Sequence, residues 1–370
     1  MVNKKFWATS FTLTGTIIGA GILGLPYVFS KSGFLVGLFW ILFLGFIMIL
    51  TNLFLAETIL RTKGTHQLTG YAEKYLGKTG KKLMFFAMVF GIYSALLAYL
   101  VGEGSSLSQL LPGNINPLYL AISFWLLMTL LLHYGLNGLK KIETWGVIAI
   151  ITIILGIFIY FLPQVQPSNL TTINKSNFFL PFGVTLFALL GFTSIPELAR
   201  EISPTKKLLK KSIILGTAIP IILYILFSLI FVGVLGNNVE QVATLSFGNI
   251  INLLGMFTML TSYFVLSFSL EDMFHFDLKK SKQTTFFWVS LFPLALYLIT
   301  TNFKFTSFIN ILSVGGVVSG SLTGILILLM HQKARKKGNR KPEFKLKNSW
   351  LIITIISLIF ILGTICEFLL

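Results

Sequence analysis

Two stretches of this chain place glycine and proline where an uninterrupted helix would not want them. The first reads Thr14-Gly15-Thr16-Ile17-Ile18-Gly19-Ala20-Gly21-Ile22-Leu23-Gly24-Leu25-Pro26, and the second reads Ala188-Leu189-Leu190-Gly191-Phe192-Thr193-Ser194-Ile195-Pro196-Glu197. Each glycine costs a helix about 1 kcal/mol relative to alanine, and an interior proline about 3 kcal/mol. No lysine or arginine lies near the middle of either apolar stretch, so strong polar chemistry there must come from the backbone. In a bilayer, unwound backbone is tolerated only where it lines a cavity or holds a ligand. A half-helix N-terminus offers free N–H groups and partial positive charge, and a half-helix C-terminus offers carbonyls. The first suits a carboxylate and the second an ammonium group or Na⁺, so one such site takes both ends of a zwitterion. Gly15 and Gly19 also fit the small-xxx-small spacing that lets membrane helices pack closely, and that use remains open beside the first.

Ionisable residues add little to choose from. Tyr99 and Glu103 are one helical turn apart and can face one cavity. A carboxylate at the centre of a span costs about 2.5–3.5 kcal/mol, and an intramembrane acid is a functional candidate by default; Glu103 can equally be a protonated packing residue or sit near the outer mouth. Glu57, Glu143, Glu197 and Glu201 fall near the inner ends of their spans, where pairing with nearby Lys and Arg is the simpler role. His66, His133, His275 and His331 are isolated in sequence, Cys366 is the sole cysteine, and no HExxH, CxxC or DxxD set appears, so no metal centre is expected. The GxxxxGK[ST] loop is absent, so ATP does not drive this chain from within. An embedded transferase would cluster Asp, His or Arg at one membrane face, yet the only aspartates, Asp272 and Asp277, stand together at one helix end. No enzymatic centre is expected.

The elements that must position these residues are membrane helices. The 370 residues are 55% hydrophobic and 11% charged, with mean hydropathy +0.85, against about 25% charged in soluble domains. A span needs about 20 apolar residues, and eleven segments qualify or nearly so: roughly 6–30, 34–60, 83–110, 118–137, 143–162, 178–200, 212–236, 244–271, 284–301, 305–331 and 349–369. With the N-terminus inside, 26 of the 29 Lys and Arg fall on inner segments and only Lys31, Lys175 and Lys304 on outer ones. That asymmetry supports both the count and a cytoplasmic N-terminus with an extracytoplasmic C-terminus. No A-x-A-like site follows the first apolar run, so the first helix is expected to be retained. The net charge of +17 is scattered over short loops, which leaves no basic soluble domain for nucleic acid. The tract 332–348 is basic enough to meet anionic headgroups. The two broken spans are the first and the sixth; five apart, they run in opposite directions, as corresponding helices of an inverted repeat do.

The motif GAGILGLPYVFSKSGF resembles the first helix of the amino acid/auxin permease family, which includes bacterial and archaeal aromatic amino acid permeases. That family belongs to the amino acid–polyamine–organocation superfamily with the LeuT-type fold. LLGFTSIPELAREI is similar to the superfamily's sixth helix, and YAEKYLGKTGKK to the family's inner loop. The resemblance implies an all-α, single-domain polytopic protein of the cell membrane. Repeat one would cover about 6–162, repeat two about 178–331, with an extra helix at about 349–369. It further implies a secondary transporter of amino acids working by alternating access. The substrate carboxylate would meet amides around Ala20, Gly21 and Ile22, and the ammonium carbonyls near Ile17, Ile18, Leu189 and Leu190. Phe192 would lie over the substrate, Thr193 would line its side-chain pocket, and Tyr99 and Glu103 would share the cavity. Thr261 and Ser262 resemble a hydroxyl pair that binds Na⁺, to which carbonyls of Gly15, Ile18 and Thr258 would be added. Proton-coupled relatives show a similar pair, so the coupling ion is Na⁺ or H⁺, and no other cofactor is implied. A non-transporting sensor and a lipid-linked transferase are the alternatives.

Overall fold

The computed structural model describes residues 2–133, 139–203, 205–303, 307–347 and 350–369. Lys304, and the side chains of Lys140, Lys141, Glu143 and Asp277, lie outside the described set. The described residues form helices and turns without a strand. Among them are α1 (Val2–Ile17), α2 (Gly21–Ser32), α3 (Phe34–Leu60), α4 (Leu68–Leu110), α5 (Pro117–His133) and α6 (Leu139–Phe161). After a short outer connection come α7 (Leu180–Ala188), α8 (Ile195–Glu201), α9 (Leu209–Leu235) and α10 (Asn249–Asp272). The chain continues through α11 (Lys282–Asn302), α12 (Phe308–Lys337) and α13 (Trp350–Leu369).

Nine helical stretches among the described residues are long and apolar enough to cross a membrane, and α1 with α2 passes the same test as one span bent by 59°. Large apolar side chains such as Phe46, Ile159, Ile250 and Leu362 are exposed on the outside of the bundle. Only hydrocarbon makes that favourable over so much surface. The chain is an all-α, multi-pass membrane protein.

Breaks in the helices follow from particular residues. Gly33 turns α2 into α3 at φ 96°, and a Cβ there would lie 2.2 Å from the Thr172 carbonyl oxygen; neither condition admits another residue. Within α4, Gly77 leaves helical geometry at φ 77°, ψ −169°. The stretch 68–76 thereby forms its own short helix before the span proper. Packing joins the two interrupted regions directly: α2 rests on α7, α1 touches α8 and the turn before it, and α9 lies along both α1 and α2. The last helix, α13, is seated on α12 and α7, where Gly363 admits the Phe182 ring.

Candidate functional site

The first break is three residues long. The last bond of α1 runs from the Ile18 amide to the Thr14 carbonyl at 3.0 Å, and the first bonds beyond it run from Ile22 to Gly19 at 3.4 Å and from Leu23 to Ala20 at 3.0 Å. The Ala20 amide points at the Tyr99 hydroxyl, 3.4 Å away. In the second region α-helix ends at Ala188 and resumes at Ile195, with a 3-10 turn over Phe192–Ser194 between. The amides of Leu189 and Leu190 reach back to Thr185, Leu186 and Phe187, and the Ser194 amide and hydroxyl both donate to the Gly191 carbonyl. Pro196 sits in the first turn of α8, where its missing N–H has no partner to lose.

These regions are neighbours in a reciprocal sense. A Cβ on Gly21, at the start of α2, would lie 2.4 Å from the Ala188 Cα. A Cβ on Gly191 would lie 2.8 Å from Ile17, at the end of α1. Tyr224, fully buried on α9, spans the pair: its hydroxyl donates to the Ile17 carbonyl at 2.8 Å and to the Ala188 carbonyl at 3.0 Å. A hydroxyl has one proton, so the two carbonyls share it.

Between the two regions lies a cavity of about 130 Å³. Ile17, Gly19, Ala20 and Gly21 wall it on one side and Leu190, Gly191, Phe192 and Thr193 on the other. Met88, Gly91, Ile92, Ala95 and Tyr99 of α4 form a third side, with Phe187, Leu266, Ser319 and Thr323 closing the ring. The small residues Gly91 and Ala95 leave room where larger ones would fill it. The α4 wall runs about 16 Å, at 1.5 Å per residue, from Tyr99 down to Met88. Leu68 also lines the cavity, so the space extends from the breaks toward the end of the bundle that carries most of the basic residues.

The remaining expected site residues are distributed as follows. Ile18, Ile22 and Leu189 are buried behind the wall rather than on it, and the Ile22 amide is already bonded to Gly19. Glu103 is 1% exposed, one turn beyond Tyr99, with its Oε1 lacking a hydrogen-bond partner. Thr258 donates to Leu254, and Thr261 to Phe257 and to the Thr258 carbonyl, each within its own helix. Ser262 is hydrogen-bonded to the Tyr99 hydroxyl. The open side of Gly15 faces Val147 of α6.

The model of the tryptophan/tyrosine permease family matches residues 2–246 and 237–367. The chain belongs to that family. It is 29% identical over 242 residues to "Tyrosine-specific transport system 1" of Haemophilus influenzae, covering 64% of this chain and 60% of that protein. The chain thus spans about three fifths of that relative's length. It is 21% identical over 356 residues to "Glutamine transporter 2" of Aliivibrio fischeri, covering 91% of each. Its fold is similar to the crystal structure of MhsT in complex with L-phenylalanine, at TM-score 0.69 and 16% identity over 99% of this chain and 97% of that one. The bundle is therefore LeuT-like.

Two features of this family member escape a reading of the sequence. One is Tyr224. A lone tyrosine in an apolar span must find a polar partner for its hydroxyl, and that was the available signal; which partner depends on contacts some 200 residues away in the chain. The other is the extension of the expected Glu57–Arg61 pair into a polar knot around Glu57, whose side chain has no exposure. Its carboxylate takes Arg61 at 2.7 Å, His331 at 3.2 Å and the Leu346 amide at 2.8 Å. Among the described residues no group of three or more His, Cys, Asp or Glu could hold a metal ion.

Proposed function

We propose that the chain is a secondary active transporter that carries a neutral amino acid across the cell membrane by alternating access, driven by a Na⁺ or H⁺ gradient. The observation that carries this reading is a cavity walled by irregular backbone from two regions in contact. Backbone leaves the helix inside a bilayer only where it lines such a space. In that arrangement the amides around Ala20 and Gly21 hold the carboxylate, and the carbonyls of Ile17 and Leu190, which line the cavity, hold the ammonium group. Phe192, Thr193 and Tyr99 border the side chain. The mostly apolar wall, with hydroxyls at Thr193, Ser319 and Thr323, suits an uncharged side chain. The names of the relatives point the same way, toward tyrosine, glutamine and phenylalanine.

Eleven spans result if the nine long helices, the bent pair α1–α2 and the shorter Pro117–His133 among the described residues each cross once. This supports a five-plus-five inverted repeat with discontinuous first and sixth helices, and α13 as an addition. The distribution of Lys and Arg supports a cytoplasmic N-terminus and an extracytoplasmic C-terminus. With that orientation the cavity, reaching Leu68, faces the cytoplasm.

Coupling has two candidate seats. The hydroxyl-bearing stretch Thr258, Thr261 and Ser262, with carbonyls of Gly15 and Ile18, offers the oxygen ligands a hard cation takes. Glu103, buried and without a partner at Oε1, offers a proton site. Uptake of labelled tyrosine and glutamine into proteoliposomes tests the whole reading. Saturable uptake that collapses when the imposed ion gradient is dissipated is the expected outcome; uptake indifferent to every gradient would sink the proposal. Loss of uptake on removing Na⁺, spared in Glu103→Gln, assigns the coupling to Na⁺. The reverse pattern assigns it to H⁺.

A further inference from the structure

The basic tract that follows α12 is not a loose tail. Its ten residues 338–347 are strapped to the inner ends of α3 and α12. The amides of Asn339 and Arg340 both donate to the Arg61 carbonyl at 3.1 Å. The Lys63 amide donates to Asn339 Oδ1 at 2.8 Å, and the Arg340 guanidinium donates to the Leu60 carbonyl at 2.9 Å. At the far end of the strap the Leu346 amide bonds buried Glu57, while Arg335 donates to the Leu346 carbonyl at 3.0 Å. A segment carrying this much like charge would otherwise extend into solvent; these bonds fold it into a fixed concave surface.

That surface encloses an open hollow of about 440 Å³ lined by Arg61, Arg340, Lys341, Lys345 and the intervening backbone. The volume falls within the range of about 300–1,000 Å³ usual for small-molecule sites. The cations are not equally committed. Arg61 is paired with Glu57, and Arg340 with Glu343. Lys341 and Lys345 are exposed and enter no ion pair among the described residues. Two uncompensated ammonium groups thus stand on a rigid rim, beside guanidiniums that reinforce the same positive field. The location is also specific. α13 begins at Trp350, three residues past Lys347, and Trp350 is 70% exposed, as tryptophans are at the headgroup level of a bilayer.

We propose that this hollow binds a phosphate-type anion, with Lys341 and Lys345 as the principal contacts. The same chemistry is presented by the phosphodiester of an anionic lipid and by free inorganic phosphate. The strap runs close in sequence to Trp350, at the headgroup level, where the lipid form is most concentrated. The site is separate from the cavity between the breaks, and its occupancy would tighten the strap over Glu57 without touching substrate.

The test uses the full chain in nanodiscs of phosphatidylcholine with and without phosphatidylglycerol. Native mass spectrometry reads which lipid the released protein retains. Wild type is expected to retain phosphatidylglycerol preferentially, and Lys341→Gln/Lys345→Gln to lose about twenty-fivefold of that preference, given that each surface cation near an anionic lipid contributes about fivefold. A control, Lys336→Gln/Lys337→Gln, removes two exposed charges on the last turn of α12 and outside the hollow. It is expected to keep most of the preference. In a second arm, phosphate is compared with chloride at equal ionic strength in phosphatidylcholine-only discs, with the unfolding midpoint as readout. A phosphate-specific rise lost in Lys341→Gln/Lys345→Gln identifies free phosphate as a source; lipid retention without that rise identifies the lipid. Equal loss in both double variants, or no preference in either arm, overturns the proposal.

Discussion

The two interrupted regions do the same thing by different means. Around residue 18 the chain stops being helical because side chains are missing: Gly19 and Gly21 flank Ala20, three residues suffice, and the helix axis swings by 59°. Around residue 190 it stops because of what is present. Ser194 takes up the Gly191 carbonyl twice, a 3-10 turn fills the gap, and Pro196 restarts the helix in its first turn. The first break is an absence that lets another backbone approach, with Gly21 against Ala188. The second is a local construction that holds its own shape. Steric change should therefore damage the first break more than the second, and damage should spread wherever the two touch.

The largest effect is expected at that contact. In Gly21→Ala the new methyl group would stand 2.4 Å from Cα and 2.5 Å from Cβ of Ala188, so backbone rather than a flexible side chain must move. Overpacking of this kind costs about 1–3 kcal/mol. Drawn from the binding-competent arrangement, that becomes about a five- to 150-fold loss of apparent substrate affinity in uptake assays. Gly24→Ala is the informative contrast. Its methyl group would meet only side-chain ends, those of Leu312, Ile309 and Val184 at 2.9–3.2 Å, and the loss should be several-fold smaller. If the two variants are equally impaired at equal yields of folded protein, these glycines serve general helix packing and the first break has no special standing.

An effect of similar size tests whether the regions act as one. Tyr224→Phe removes the proton that the Ile17 and Ala188 carbonyls share and leaves buried acceptors without a donor. That costs about 1–3 kcal/mol, read as a lower unfolding midpoint in denaturant titration of the detergent-solubilised protein. The variant should also bind substrate more weakly, because the carbonyl ends of both half-helices are released together. Unchanged stability and affinity would mean that each region is held independently and that the hydroxyl only fills space.

The sequence made much of this legible, and for identifiable reasons. Apolar length and the side occupied by Lys and Arg are local properties, so the spans could be placed before any packing was known. The first irregular stretch is marked by Gly19 and Gly21, and the second by Gly191 and Pro196, because backbone irregularity leaves compositional traces. Partnerships across the bundle leave none. Tyr224 is 207 residues from Ile17, and His331, isolated in sequence, meets Glu57 only once α12 lies beside α3. The Arg61 partner of Glu57 was accessible, being four residues further along the chain at helical spacing. The downward extent of the cavity was not, since Gly91, Ala95, Ser319 and Thr323 are unremarkable in their own helices and matter only by facing one another.

The subtlest prediction separates contact from conformation within the first break. Gly19 is not among the glycines at positive φ, so alanine is permitted by its backbone. What opposes it is the Tyr99 hydroxyl, 3.2 Å from the position of the new Cβ. That hydroxyl also receives the Ala20 amide at 3.4 Å and is bonded to Ser262. Relief therefore requires a shift of only a few tenths of an ångström, at the expense of an already long bond. Gly19→Ala should weaken substrate binding by about threefold, a cost under about 1 kcal/mol. Tyr99→Phe removes the opposing oxygen, and in that background Gly19→Ala should be nearly neutral, giving a coupling energy of about 0.5–1 kcal/mol in the double-mutant cycle. Additive losses would show that Gly19 matters through its own backbone motion. The first break would then be a hinge instead of a fitted surface, and the contrast with the second region would rest on flexibility instead of space.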